Sequence, residues 1–249
     1  MEELSLLDKV YNYCARHIKY PSEQAAVAHT LWMVGSYFLE DKEHKDVRVF
    51  DNFPLLAFFS VDEDSGKTRA LDVTQTLAYN AVDGGTYTAS AMLTEIDEQY
   101  PTLITLILDE SDEVLAPGEN KTLYVKLFNN GYQRGKYIVR RHLMEQRNLR
   151  TPAYCPKVLG GLTTTLLKKT TRSRTIIVHM RPLKWGERVE RHIDKVEGKA
   201  LSELIMTCRP SIFERLKAVD EDGLSNLSNR AAQIWNPLLA IAKIAGGDE

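Results

Sequence analysis

A short apolar run followed by a loop, a Gly-Lys-Thr triplet and a helical pattern constrains the fold of this chain more than any other feature. Leu55–Phe59 is apolar without interruption, which is typical of a parallel strand that is covered on both faces. The loop 60–65 follows, and Gly66-Lys67-Thr68 then opens a helix with apolar positions at Ala70 and Leu71. A strand that turns directly into a helix in this way predicts an α/β fold with a parallel sheet.

A second buried strand is predicted at 103–108, and it ends in Asp109 and Glu110. Helical patterns lie between the two strands, and further strand candidates occur at 157–159 and 176–180. Because strands and helices alternate along this region, we expect a single parallel sheet.

Helical patterns flank the α/β region on both sides. Two amphipathic helices are predicted in the first forty residues, and apolar residues return at helical spacing from 199 to 245. We therefore predict three parts: an N-terminal helical segment (1–49), an α/β core (50–185) and a C-terminal helical lid (186–249).

The loop and its helix fit a P-loop, in which backbone N–H groups and the N-terminus of the helix surround phosphate groups. In that motif the lysine, here Lys67, reaches the β- and γ-phosphates, and the hydroxyl, here of Thr68, holds Mg²⁺. ATP and Mg²⁺ are therefore the predicted ligands. The residues predicted to bind the nucleotide are Asp64, Ser65, Gly66, Lys67, Thr68 and Arg69.

The loop departs from the usual motif in two respects. Val61 stands where G-x-x-x-x-G-K-[ST] has its first glycine. Three acids, Asp62, Glu63 and Asp64, would repel a phosphate unless they point outward.

The end of the second strand is typical of a Walker B motif. Asp109 is predicted to hold the magnesium shell, and Glu110 to polarise the water that attacks the γ-phosphate. The alternative is a buried strand that stops in a charged turn. The position of the two acids, about 40 residues after Gly-Lys-Thr in an α/β pattern, favours the catalytic interpretation.

Two arginines, Arg172 and Arg174, precede the last predicted strand. Ring-forming ATPases carry an arginine at such a position, and it reaches the γ-phosphate of a neighbouring subunit. Arg174 is the first candidate for such an arginine finger and Arg172 is the second. The alternative is an exposed basic loop without a catalytic role.

The charge of the chain is distributed unevenly. Residues 121–192 contain 17 Lys and Arg and three acids, which gives this segment a charge of +14. Because the net charge of the whole chain is −2, the remaining residues together carry a charge of −16. A basic segment of this kind is typical of a DNA-binding surface or of one side of a subunit interface. The alternative is a solvated surface whose counter-charges lie nearby.

The composition of the chain narrows the classes of protein to which it can belong. The chain is 43% hydrophobic and 27% charged, as in globular domains, and its apolar runs are too short for a membrane helix. The acidic start is unlike a secretory signal, so we expect a cytoplasmic protein. Neither the three cysteines nor the six histidines show metal-ligand spacing.

The sequence resembles a family of unknown function in actinobacterial, phage and mobile-element proteins, whose larger members often carry a primase–polymerase or helicase-like module. The matching stretches are 65–71, 101–112, 128–135, 174–176, 186–191 and 235–247. The resemblance implies a P-loop ATPase of the AAA+ or helicase kind. In such an ATPase a polar sensor side chain is expected near Gly160 and Gly161, and its absence here favours slow hydrolysis.

The leading hypothesis is therefore an ATPase that works as a homo-oligomer, a ring or a filament, in DNA transactions of a phage or mobile element. Its DNA contact would be the basic segment 121–192, and its location the bacterial host cytoplasm if a phage encodes it. One alternative is a nucleotide-gated interaction or assembly protein with little turnover. Another is a P-loop kinase of a small molecule.

Overall fold

The computed structural model describes residues 5–39, 49–85, 87–116, 121–142, 147–219, 224–227 and 229–246. The helices are α1 (Leu6–His17), α2 (Glu23–Gly35), α3 (Lys67–Leu77), α4 (Ala89–Gln99), α5 (Ser111–Val114), α6 (Lys121–Asn130), α7 (Lys169–Arg172), α8 (Lys195–Lys217) and α9 (Asn229–Gly246). The strands are β1 (Leu55–Phe59), β2 (Ala81–Asp83), β3 (Thr105–Leu108), β4 (Tyr137–His142), β5 (Arg147–Pro152), β6 (Lys157–Gly161) and β7 (Thr175–His179).

Five strands form one parallel sheet in the order β2-β3-β6-β1-β7. The predicted α/β fold class is therefore confirmed. Strand β6 lies between β1 and β3, so the two strands singled out in the sequence are not neighbours. Their carboxyl ends nevertheless meet at the same edge of the sheet, since all the strands run in one direction.

The apolar run of β1 is continuous because its side chains enter two different cores. Leu56 and Phe58 belong to a cluster with α1, α2, α3, α8 and α9, whereas Leu55, Ala57 and Phe59 belong to one with α4 and α6. Successive side chains of a strand point to opposite faces, so a strand in the middle of a covered sheet has no polar positions.

The predicted helical pair and the C-terminal helices pack on the same face of the sheet. Ser5 and Asp8 form a capping box at the start of α1, and the indole N–H of Trp32 on α2 donates to the carbonyl of Pro54 at 2.8 Å. At the start of α8, Asp194 caps the helix and its carbonyl accepts a hydrogen bond from Tyr13 at 2.8 Å. Among the described residues, no helix has the length and apolar character that a bilayer span requires.

The antiparallel hairpin β4–β5 and the short edge strand β2 were not predicted from the sequence. Pairing in the hairpin runs from Tyr137 opposite Pro152 to His142 opposite Arg147. Four arginines (Arg140, Arg141, Arg147 and Arg150) interrupt its apolar pattern, and residues 143–146 lie outside the described residues.

Candidate functional site

The loop between β1 and α3 wraps around the amino group of Lys67. Its Nζ atom donates to the carbonyls of Ser60 at 2.9 Å and Asp62 at 3.0 Å, and to the hydroxyl of Ser65 at 3.2 Å. Gly66 precedes the first turn of α3 with φ of +83°, a conformation that glycine adopts without strain. The loop therefore holds a cation at the N-terminus of a helix, where negative charge is favoured.

The two departures from the motif have a structural explanation. Val61 does not have a positive φ, and Asp64 adopts the left-handed conformation instead, with φ of 50°. The side chains of Asp62, Glu63 and Asp64 are all exposed. The loop therefore turns without its first glycine, and its acids are solvated at the surface.

Thr68 and Asp109 meet although different strands lead to them. The hydroxyl of Thr68, in the first turn of α3, donates to Oδ2 of Asp109 at 2.9 Å. A hydroxyl and a carboxylate in contact are hard oxygen donors of the kind that Mg²⁺ prefers, so the pair is compatible with the predicted magnesium site. No cluster of three or more metal-ligating side chains occurs in the part of the chain that the structure describes.

Glu110 lies at the exposed end of this arrangement. Its backbone has φ of 51° and ψ of 41°, and its N–H donates to Oδ1 of Asp109 at 2.9 Å. Asp109 is thus held by two donors, whereas the side chain of Glu110 is exposed. The two acids have different surroundings, which is compatible with the different roles predicted for them.

The glycine pair of β6 makes room for the acids that follow β3. A Cβ atom at Gly160 would lie 2.8 Å from Oδ1 of Asp109, and one at Gly161 would lie 2.5 Å from the hydroxyl of Ser111. Glycine is therefore required where a polar sensor was expected. Sequence reasoning missed this role, because it depends on β6 lying next to β3.

Asp112 is a further residue that sequence reasoning did not assign to the site. Its carboxylate accepts hydrogen bonds from the backbone N–H groups of Leu162 and Thr163. These contacts fasten the acidic turn after β3 to the segment that follows β6. Ser111, in the same turn, is buried and its hydroxyl has no partner among the described residues.

Arg174 lies at the opposite edge of the sheet from Lys67. The carbonyl of Arg174 accepts a hydrogen bond from the N–H of Leu55, at the amino end of β1, whereas Lys67 follows the carboxyl end of that strand. A five-residue strand separates these edges by about 16 Å. The structure therefore does not bring Arg174 to the Thr68–Asp109 pair of its own chain. Arg172 differs, because its guanidinium bonds to the carbonyl of Thr164, in the segment after β6 that also contacts Asp112.

The two arginines differ in their surroundings. The guanidinium of Arg174 is half-buried, bonds to the carbonyl of Thr170 and lies 4.8 Å from the ring centre of Tyr132. Arg230 lies against the same ring, at 4.9 Å. Arg172 is exposed and donates to the carbonyl of Thr164 at 2.8 Å. Arg172 is thus the more accessible of the two candidates.

Residues 180–194, which we call the strap, connect β7 to α8 and cross the start of α3. Arg69 donates to the carbonyls of Glu190 at 2.8 Å and Arg191 at 2.9 Å, so the strap is tied to the helix that follows the 60–68 loop. A cavity of about 230 Å³ lies between the two. Its lining combines apolar and charged side chains with the loop itself: Ile18, Lys19, Asp64, Ser65, Gly66, Arg69, Arg181, Leu183 and Val189.

The basic segment 121–192 is not a continuous surface. Lys157 is 1% exposed, and its ammonium donates to the carbonyls of Gly131, Ala153 and Cys155 at 2.8–3.1 Å. Burial lowers the pKa of Lys157. Arg140 on β4 contacts Ser90 of α4.

Comparison with known proteins shows a likeness in fold. No family model matches the chain, and no curated protein matches it. A solved structure described as an SCCmec type IV Cch protein, an active helicase, is similar with a TM-score of 0.52 and 13% sequence identity. The match covers 96% of this chain but 46% of that one, so this chain spans less than half the length of the helicase. At this identity the likeness concerns the fold alone.

Proposed function

We propose that the chain binds and hydrolyses ATP with a P-loop site, and that it does so as an oligomer engaged in DNA transactions of a phage or mobile element. The observation that carries the proposal is the convergence of Lys67, Thr68 and Asp109 at the carboxyl edge of one parallel sheet. Ligands of open α/β sheets bind at this edge, where loops and helix N-termini meet.

Each residue has a separate role in this proposal. Lys67 exchanges its contacts with Ser60 and Asp62 for the β- and γ-phosphates, and the backbone N–H groups of residues 64–69 surround the same phosphates. Thr68 and Asp109 would hold Mg²⁺, which neutralises phosphate charge when it is bound. Glu110 accepts a proton from the attacking water, a role for which an exposed carboxylate beside the site is suited.

The cavity beside the loop supplies a place for the rest of the nucleotide. Ile18, Leu183 and Val189 offer apolar surface for a base, and Lys19 offers a polar contact. The opening begins at Ser65 and Gly66, so a nucleotide there would extend from the phosphate loop toward the strap.

The position of Arg174 supports the oligomer in this proposal. Arg174 lies about one strand length from the Thr68–Asp109 pair, so its catalytic contact would be made with a neighbouring subunit. A guanidinium at the γ-phosphate stabilises the charge that develops during transfer.

The part of the proposal that concerns DNA rests on two supports. One is the excess of positive charge between residues 121 and 192. The other is the likeness in fold to a protein described as an active helicase, which covers only part of that protein. A phage or mobile element would place this activity in the cytoplasm of a bacterial host.

A second candidate function is a nucleotide-gated assembly protein with little turnover. The observation that favours it is the packing at Gly160 and Gly161, which leaves no side chain at the carboxyl end of β6 to contact a γ-phosphate. A small-molecule kinase is a third candidate, and the formation of a phosphorylated small molecule would identify it.

One experiment separates these candidates. ATP turnover is measured with and without single-stranded DNA, and particles are imaged with and without a slowly hydrolysed ATP analogue. Turnover that DNA stimulates supports the helicase-like function. Assembly that needs only nucleotide, with turnover near background, supports the assembly protein, and the absence of both contradicts the proposal.

A further inference from the structure

A turn in the strap presents a tryptophan to solvent. The side chain of Trp185 is fully exposed, whereas Trp32 is fully buried and Trp235 is 37% exposed. Tryptophan is highly buried on average, because its ring offers a large apolar area. A fully exposed indole in a hydrogen-bonded turn is therefore available to contact a ligand or a partner.

The turn is held in one conformation. The N–H of Glu187 donates to the carbonyl of Lys184 at 3.0 Å, and Gly186 has φ of +85°, as type II turns require at their third position. The guanidinium of Arg181 donates two hydrogen bonds to the carboxylate of Glu187, of 2.6 and 2.8 Å. The N–H of Lys184 donates to the same carboxylate at 2.8 Å. Trp185 is thus displayed on a rigid support.

Glu187 and Glu190 of the strap each lie beside a cation of the chain. Glu187 is bound by Arg181, and this contact holds the pKa of its carboxyl well below the ordinary value. Glu190 faces α1, where His17 lies 3.6 Å and Arg16 lies 3.9 Å from its carboxylate.

The cations of the strap face outward. Lys184, Arg188 and Arg191 are exposed, and their side chains form no ion pair within the described ranges of the chain. Cations that have no ion-pair partner among the described residues therefore flank the exposed indole on both sides along the sequence.

We propose that Trp185 is a stacking platform for a base of single-stranded nucleic acid, and that Lys184 and Arg188 contact the flanking phosphates. An aromatic face for a base, with cations for the backbone, is the combination by which single strands are bound without sequence preference. This inference rests on the DNA part of the proposed function and adds the site and the strandedness of the ligand.

The surroundings of Trp185 favour nucleic acid over a second protein chain. The core of a protein interface is depleted in charged residues and gathers several apolar side chains. Around Trp185 the turn offers only Leu183 as another exposed large apolar side chain, at 45% exposure, whereas three cations are close in sequence. A single base needs one aromatic face and neighbouring positive charge.

The test is the affinity for fluorescently labelled oligothymidylate, measured by anisotropy. Trp185→Ala should weaken binding roughly 5- to 100-fold, the range seen when one stacking partner is removed. Trp185→Phe, which keeps an aromatic face, should bind more tightly than Trp185→Leu, which keeps only apolar bulk. Turnover without DNA should not change, since Trp185 lies outside the nucleotide site.

The cations are tested by the salt dependence of the affinity. Lys184→Gln and Arg188→Gln should each lower the slope of log affinity against log salt by about 0.7, as expected for one phosphate contact on a single strand. Lys199→Gln is the matched control, because this lysine is 79% exposed on α8 and lies outside the turn. Its slope should equal that of the parent.

Intrinsic fluorescence gives a second measurement that does not depend on affinity. In a Trp235→Phe background the remaining tryptophans are the buried Trp32 and the exposed Trp185. Oligothymidylate should quench the exposed component if a base stacks on Trp185, and an unchanged spectrum at saturating DNA would overturn the platform.

The outcomes distinguish this inference from the proposed function. If the parent binds oligothymidylate and Trp185→Ala binds it equally well, the platform is wrong and the DNA part of the proposed function stands. If the parent binds no single-stranded DNA, both fail. If Trp185→Ala instead changes only the oligomeric state measured by light scattering, the turn is a subunit contact and the platform is overturned.

Discussion

The hydroxyl of Thr68 and the carboxylate of Asp109 form a hydrogen bond of 2.9 Å across 41 positions of sequence. Thr68 follows the Gly66-Lys67 pair, and Asp109 follows strand β3. In the sheet, β6 lies between β3 and β1, the strand that leads to Thr68. Their contact joins the phosphate-binding half of the proposed site to its acidic half.

Asp109→Asn tests the acidic half. The amide oxygen can still accept from Thr68, but the negative charge that attracts a divalent cation is lost. We expect affinity for Mg²⁺-ATP to fall roughly 10- to 100-fold, with little change when Mg²⁺ is absent. Titration calorimetry with and without Mg²⁺ measures both values. Asp97→Asn, on the exposed side of α4, is the control, and equal losses with and without Mg²⁺ would argue against a magnesium role.

Glu110→Gln separates binding from chemistry. An amide cannot accept the proton of the attacking water, so turnover should fall by about 10²- to 10⁴-fold while ATP affinity is retained. Steady-state phosphate release is the measurement, and Glu113→Gln on α5 is the matched control. Parental turnover in Glu110→Gln would move the catalytic role elsewhere, with Asp109 and Asp112 as the next candidates.

The main elements of the fold could be predicted because their signals are local. The apolar run of β1, the glycine at the start of α3 and the capping pair Ser5–Asp8 each act within a few residues. Such features can be found without knowing which elements pack together.

Other features depend on contacts that the sequence does not display. Gly160 is needed because Asp109 lies over β6, and the sheet order alone brings them together. The hairpin β4–β5 was missed because charged residues interrupt its apolar alternation. The loop tolerates Val61 because Asp64 adopts the positive φ, a compensation that a motif search does not detect.

Arg174→Ala and Arg172→Ala test whether the site is shared between subunits. Each variant should bind ATP, and loss of the finger should lower turnover roughly 10³- to 10⁵-fold. Mixing the inactive variant with Lys67→Ala subunits should restore part of the activity, because each supplies the half-site that the other lacks. The measurement is turnover against mixing ratio.

The control for the arginine variants is Lys169→Ala, which removes an exposed cation from α7. Because Arg174 also stacks on Tyr132, thermal unfolding of its variant is compared with that of the parent. If both single variants and the double variant keep the turnover of the parent, the residues that act on the nucleotide all come from one chain.

His29 gives the fold a pH dependence with a defined sign. Its ring is fully buried, lies 2.7 Å from the Tyr20 hydroxyl and 2.8 Å from that of Thr74, and burial lowers its pKa to about 3. In the unfolded chain the pKa is about 6.5. Below that pH the unfolded chain takes up a proton that the folded chain does not bind. The free energy of unfolding therefore falls by up to about 1.4 kcal/mol per pH unit between pH 6.5 and pH 3.

His29→Gln tests this sign. The free energy of unfolding, measured with urea, should fall less between pH 7 and pH 5 in the variant than in the parent. The comparison uses only this change, so a difference in stability between the two proteins at pH 7 does not affect it. His192→Gln, at an exposed position, should keep the parental pH dependence. Identical pH slopes in the parent and His29→Gln would show that His29 is not the group responsible.

The affinity of Lys67→Ala for Mg²⁺-ATP tests the central claim most directly. Lys67 Nζ is the cation held within the 60–68 loop, and removing its charge-assisted hydrogen bonds to phosphate should weaken binding roughly 10- to 100-fold. Calorimetry on the parent, Lys67→Ala and the exposed-lysine control Lys199→Ala measures this loss. The account predicts binding by the parent and the control and a clear loss in Lys67→Ala; equal ATP affinity in all three proteins would contradict the P-loop assignment.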